Sequence, residues 1–133
     1  VCFSNYVTGE IGGSLGQHAS SVESIAFCKA PESTFCVSCA METNINIYDF
    51  KKQKIQLGQA ASAGGFTKVV FSEIDPCIFY ASSSLGHLML IDVRSGALIR
   101  TYKGHQAPIN DFIEVIQHKI LVTAGDDFVC NVY

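Results

Sequence analysis

Four histidines, six cysteines and a run of three serines are the residues of this chain best equipped for chemistry. The histidines are His18, His87, His105 and His118. An imidazole can act as general base, metal ligand or hydrogen-bonding peg, and its neighbours decide which. His105 follows Gly104 in "TYKGHQAPINDF", ahead of a turn and an alternating apolar stretch. His87 comes after "SLG" and His118 lies in "IQHK", both turn settings expected to face solvent. Ser82, Ser83 and Ser84 fall on an expected strand, without the sharp elbow or positioned base that a nucleophilic serine needs. The "SAGG" stretch at 62–65 lacks the Lys-Ser/Thr pair and the following helix of a phosphate loop.

The cysteines are Cys2, Cys28, Cys36, Cys39, Cys77 and Cys130. Only Cys36 and Cys39 are spaced like a metal or redox pair. Their setting, "TFCVSCA", is extended, and residues three apart on a strand point to opposite faces. No second CxxC completes a four-ligand zinc site. The reading is buried, reduced strand cysteines, with no metal, no cofactor, no catalytic residue and no enzyme activity.

These residues sit in a chain of 133, the size of one domain, with 48% hydrophobic and 16% charged residues. A net charge of −3 and only two arginines, Arg94 and Arg100, argue against direct nucleic-acid binding, which needs a basic face. No apolar run approaches the roughly 18 residues of a membrane span, so no membrane insertion is expected. The opening "VCFSNYVTGE" has neither the basic end nor the apolar core of a signal peptide. It begins without methionine, inside what reads as a strand, which suggests a piece of something longer.

The positioning elements follow from an internal repeat. A shift of 87 residues places Thr8-Gly9 on Ser95-Gly96, His18 on His105 and Val22 on Ile109. Half that shift gives a further copy, and the strand ends Ser4, Tyr48, Ile91 and Tyr133 lie 44, 43 and 42 residues apart. Each copy reads as strands only. "NINIYDF" (44–50) alternates with period two; "VESIAFC" (22–28), "KVVFSE" (68–73) and "INDFIEV" (109–115) open the copies. "STFCVSCA", "CIFYASS" and "KILVTAG" form the middles, separated by "APE", "EIDP", "SLG", "RSG" and "GDD". Four short strands in about 43 residues is the mark of a β-propeller blade.

On these residues the chain resembles the WD-repeat family. The best copy is Gly104-His105, "ILVTAGDD" and "VCNVY". There His105, Thr123, Asp127 and Tyr133 match the family's structural His–Ser/Thr–Asp–Trp hydrogen-bond set, with tyrosine replacing tryptophan. In the preceding complete copy His18 and Tyr48 match, and Glu42 stands where Asp is expected. The middle copy departs from the pattern, with Ser62, Leu85 and Ile91 at the His, turn and Trp positions. The expected architecture is all-β, about three four-stranded blades of a larger ring of seven or eight. Residues 1–16 would end a preceding blade, 17–58 form a blade, 59–101 a degenerate blade, and 102–133 a final blade lacking its outer strand. Three blades cannot close a ring that needs roughly four to eight. The remainder of the propeller is therefore an expected partner, and the isolated chain is expected to be unstable.

"SVESIAFC", "NINIYDF", "LIDVRSGALIRTYKGHQAPINDF" and "LVTAGDDFVCNVY" look like the last blades of the angio-associated migratory cell protein family. In that family the yeast counterpart is a chaperone for a large-subunit ribosomal protein. The resemblance implies a non-catalytic protein-binding scaffold, a chaperone or adaptor for a basic ribosomal segment, in the cytoplasm with the nucleus as a second compartment. The alternative is a generic scaffold in signalling, cell migration or trafficking. Partners would dock on the loops at 19–21, 41–43, 85–87, 106–108 and 125–127. Gln106 and Pro108 lie there, and Glu23, Glu42, Asp111 and Asp126 lie on or beside these loops as a candidate acidic rim. Asp127 is left out of that rim because the blade network claims it.

Overall fold

Alternating and fully apolar stretches of six residues, bounded by turn residues, give a chain of strands. The computed structural model describes residues 2–14, 16–52, 54–59 and 64–133; Ser62 and the first half of the "SAGG" stretch fall outside them. The strands are β1 (Cys2–Ser4), β2 (Ile11–Ser14), β3 (Val22–Phe27), β4 (Phe35–Ala40), β5 (Asn44–Asp49) and β6 (Lys54–Gln59). There follow β7 (Phe66–Phe71), β8 (Ile78–Ser83), β9 (His87–Asp92) and β10 (Leu98–Lys103). The last are β11 (Ile109–Val115), β12 (Ile120–Gly125) and β13 (Cys130–Val132), with one 3-10 turn at Ile116–His118.

These strands make four antiparallel meanders: β1-β2, β3-β4-β5-β6, β7-β8-β9-β10 and β11-β12-β13. The second and third are complete blades, at residues 22–59 and 66–103. The fourth has three strands, at 109–132. The second strands β4 and β8 are nearly wholly buried, because a strand inside a stacked sheet is covered on both faces. The outer strand β10 is mostly exposed.

Two apolar seams join the blades. Val37, Cys39, Ile45 and Ile47 from one sheet meet Phe66, Val69, Phe71 and Phe79 of the next. Tyr80 and Leu88 meet Ile109, Phe112 and Leu121 across the second seam. The first sheet, β1-β2, adjoins the next through Phe3, whose ring lies 5.3 Å from that of Phe50.

The repeat is visible in the backbone itself. Pairing of each innermost strand slips between its first and third residues: Val22/Ser24, Phe66/Lys68 and Ile109/Asp111. The bulged residues are thus Glu23, Thr67 and Asn110, at one position in all three blades. A bulge re-aims the side chains that follow it. β7 itself starts at Phe66, two residues before the expected "KVVFSE". The outer hairpins repeat as well. Asn5, Asp49 and Asp92 each accept a backbone N–H two residues on, from Val7, Lys51 and Arg94. The chain then turns through Gly9 and Gly96 at φ 73° and 71°, the left-handed region that favours glycine.

Candidate functional site

His105 leaves the loop after β10 and points into its own sheet, where its side chain is fully buried. Nδ1 lies 2.8 Å and 3.0 Å from the two Asp127 oxygens. A carboxylate only accepts, so Nδ1 carries the proton and Nε2 accepts from the Thr123 hydroxyl at 2.7 Å. The backbone N–H of Gln106 also donates to Asp127, at 3.0 Å. Hydrogen bonding from His105 first, and from Gln106 second, holds the Asp127 carboxyl below its ordinary range. The order acid, imidazole, hydroxyl is that of a nucleophilic triad. Thr123, however, is only 1% exposed, and no substrate atom can reach its hydroxyl. The set ties β12 to the β10–β11 loop and to the turn that follows β12.

The same arrangement recurs two blades earlier, at His18, 87 residues before His105. His18 Nδ1 meets the Glu42 carboxylate, and Nε2 lies 2.8 Å from the Ser38 hydroxyl. The backbone N–H of Ala19 donates to the other Glu42 oxygen at 2.9 Å. Burial pushes the Glu42 carboxyl up, but the bonds from His18 and Ala19 outweigh it and the net shift is downward. Ser38, inside "CVSC", is the member that sequence reasoning missed. Its signal is spacing: Ser38 precedes Glu42 by four residues, as Thr123 precedes Asp127. The middle blade carries Ala81 and Leu85 at that spacing, so hydroxyl and acid are lost together. A half-satisfied buried network is worse than an apolar one, which favours such joint loss.

Tyr133 and Tyr48 stand outside these sets. The Tyr133 hydroxyl is buried without a hydrogen-bond partner, as is Asn131 Nδ2. A side chain at Gly104 would meet that hydroxyl at 2.2 Å, so only glycine leaves room for it. The Tyr133 ring packs on Tyr102 at 5.3 Å, and Tyr48 packs edge-on against Phe50 at 4.8 Å.

The rim acids are each engaged. Glu42 belongs to the buried His18 set. Asp111 pairs with Lys68 across the second seam, and this ion pair is the main cause of its lowered pKa. Asp126 accepts from Asn110, and Glu23 accepts from Ser21 at 2.9 Å. Pro108 is half-buried, and its carbonyl receives the Asp126 N–H at 2.9 Å. Gln106 is exposed, with its backbone committed to Asp127. Glu23 and Asp126 are therefore the exposed acids of the candidate rim that, among the described residues, no cation neutralises. Lys68 was not among the rim residues read from the sequence, because nothing local places it opposite Asp111.

His87 is the first residue of β9 and half-buried rather than a solvent-facing turn residue; burial, then Lys103, lowers its pKa. Cys36 and Cys39 are buried free thiols, pushed up by burial to about 11 and about 12. Such thiols are not nucleophiles at neutral pH. Among the described residues no group of three His, Cys, Asp or Glu could hold a metal ion. No helix among them is long and apolar enough to cross a membrane.

No family model matches the chain. It is 28% identical over 124 residues to human angio-associated migratory cell protein, covering 90% of this chain and 28% of that protein. The dog protein of the same name is 27% identical over 123 residues, covering 92% of this chain and 27% of its own length. These relatives are WD-repeat proteins. The fold is a partial WD-repeat β-propeller. The chain spans little more than a quarter of the curated relatives it matches. The His105 and His18 sets brace the two flanking blades, whereas the middle blade is held by its apolar seams and by polar contacts across the second seam, Lys68 with Asp111 and Glu114 with Tyr80 and Ser72.

Proposed function

We propose that this propeller segment is part of a non-catalytic protein-binding scaffold, a chaperone or adaptor whose loop end receives a basic segment of a ribosomal protein. The observation that carries the reading is the common end of the sheets. Gly65, just before β7, and the loop entering β11 are braced by the β4-β5 and β8-β9 hairpins. A side chain at Gly65 would strike the Met41 backbone at 2.8 Å, and one at Gly86 the His105 carbonyl at 2.5 Å. Loops packed backbone to backbone form a rigid platform, and rigid loop platforms are where binding residues concentrate. Glu23 and Asp126 give it exposed negative charge. The buried histidines supply stability there and no reacting group. The resemblance to the angio-associated migratory cell protein family supports the ribosomal partner, and with it a cytoplasmic and nuclear setting.

The test is affinity capture with the full-length protein, scored by mass spectrometry, alongside a variant with Glu23→Lys and Asp126→Lys. One ribosomal protein should dominate the capture and be lost from the variant. Capture dominated by signalling or trafficking proteins, unchanged by charge reversal, would replace this reading with that of a general scaffold.

A further inference from the structure

The hairpin tips offer something that the acids do not. Met41, between β4 and β5, is 48% exposed, and Leu85, between β8 and β9, is 53% exposed. Both stand beside one short floor. A Cβ added at Gly65 would meet Met41 Cα at 2.8 Å, and one at Gly64 would meet Leu85 Cγ at 2.9 Å. Two large apolar side chains thus flank a Gly64-Gly65 dipeptide that has no side chains of its own. The blades on both sides of this seam are complete four-stranded sheets packed through their core, so an uncovered end does not account for the exposure. Phe128, at the corresponding tip of the next sheet, is 99% exposed.

The surrounding charge has one sign. Among the described residues at this end, Glu23, Glu42, Asp126 and Asp127 face a single ammonium, Lys103, while Lys68 and Asp111 neutralise each other. Opposite charge steers encounter, whereas apolar anchors set most of the affinity.

We infer that Met41 and Leu85 form an apolar anchor on the loop end, for a protein segment that carries bulky aliphatic or aromatic side chains between lysines or arginines. The inference rests on the protein-docking reading above and adds that apolar contact, beside the ionic attraction, holds the complex.

Two labelled peptides of equal charge test it on the full-length protein by fluorescence anisotropy. One alternates lysine with leucine and phenylalanine; in the other, serine replaces every apolar residue. The first should bind about tenfold more tightly, which is about 1.4 kcal/mol. The double variant Met41→Ser, Leu85→Ser should erase that preference with its thermal melt unchanged. Leu85→Lys, which keeps a long side chain at the tip, should weaken binding of the apolar peptide as well. Ile99→Ser, on the outer strand β10, should leave it intact. An undiminished preference in the double variant overturns the anchor. Equal binding of both peptides, weakened by charge reversal at Glu23 and Asp126, overturns the anchor and leaves ionic docking standing. No binding of either peptide removes both. Self-association that the double variant abolishes makes the patch a contact between copies, and also overturns the inference.

Discussion

The His105–Thr123 contact gives the sharpest test of how the last blade is held. In the single variant His105→Leu the Thr123 hydroxyl stays where it is, 1% exposed, and loses its acceptor. An unsatisfied buried hydroxyl costs about 1–3 kcal/mol. In Thr123→Val the imidazole Nε2 is orphaned in turn, at a cost of the same order, about 1–3 kcal/mol. Replacing both partners removes both orphans. The double variant should therefore be more stable than the sum of the singles implies, by about 2 kcal/mol. Urea unfolding of the four proteins measures the global cycle. Amide exchange at β11 and β12 reads the same cycle locally, where a propeller need not unfold as one unit. Strict additivity would refute the claim that the histidine acts as a buried peg satisfied through Thr123. So would a His105→Leu variant as stable as the parent.

Tyr133→Phe deletes a buried hydroxyl that has no partner, so stability should hold or rise by up to about 1 kcal/mol in urea unfolding. At the second seam Glu114 accepts from the Tyr80 hydroxyl at 2.9 Å and from Ser72 at 3.0 Å. Glu114→Ala should cost about 1–3 kcal/mol by orphaning Tyr80, and Glu114→Gln, which keeps an acceptor, distinctly less. Arg94, with backbone N–H groups in support, holds the Asp92 carboxyl at about 2, against 3.8 when unperturbed. A depressed carboxylate stabilises above its unfolded pKa and loses that contribution as pH falls through the folded value. Acid titration of unfolding should thus show stability lost between about pH 4 and pH 2 that Asp92→Asn no longer shows. Gly86→Ala places a Cβ 2.5 Å from the His105 carbonyl at φ 77°, and should lower the melting temperature more than Gly9→Ala, which has open space.

The repeat, the strand content and the buried role of His18 and His105 were legible in the sequence for one physical reason. They are set by spacing along the chain and by period-two burial, and both survive when the signature letters decay. Glu42 could be aligned with Asp127 without any tryptophan in the chain. The missing hydroxyl partner, Ser38, was recoverable by the same spacing. The bulge at the second residue of each innermost strand, by contrast, leaves no mark in composition.

What surrounds each side chain in space was decided by the tertiary structure. Residues far apart in the chain meet only when blades stack, and stacking is what turned Asp111 from a rim acid into half of an ion pair with Lys68. The same packing left the Tyr133 hydroxyl without a partner and set Glu114 against Tyr80. It also placed Met41 and Leu85 on either side of Gly64-Gly65. Spacing along one strand dictates which face a residue takes; the neighbouring sheet dictates what that face meets. The sequence by itself therefore determined the blades and their pegs, while the charge and apolar character of the loop end came from the packing of one blade on the next.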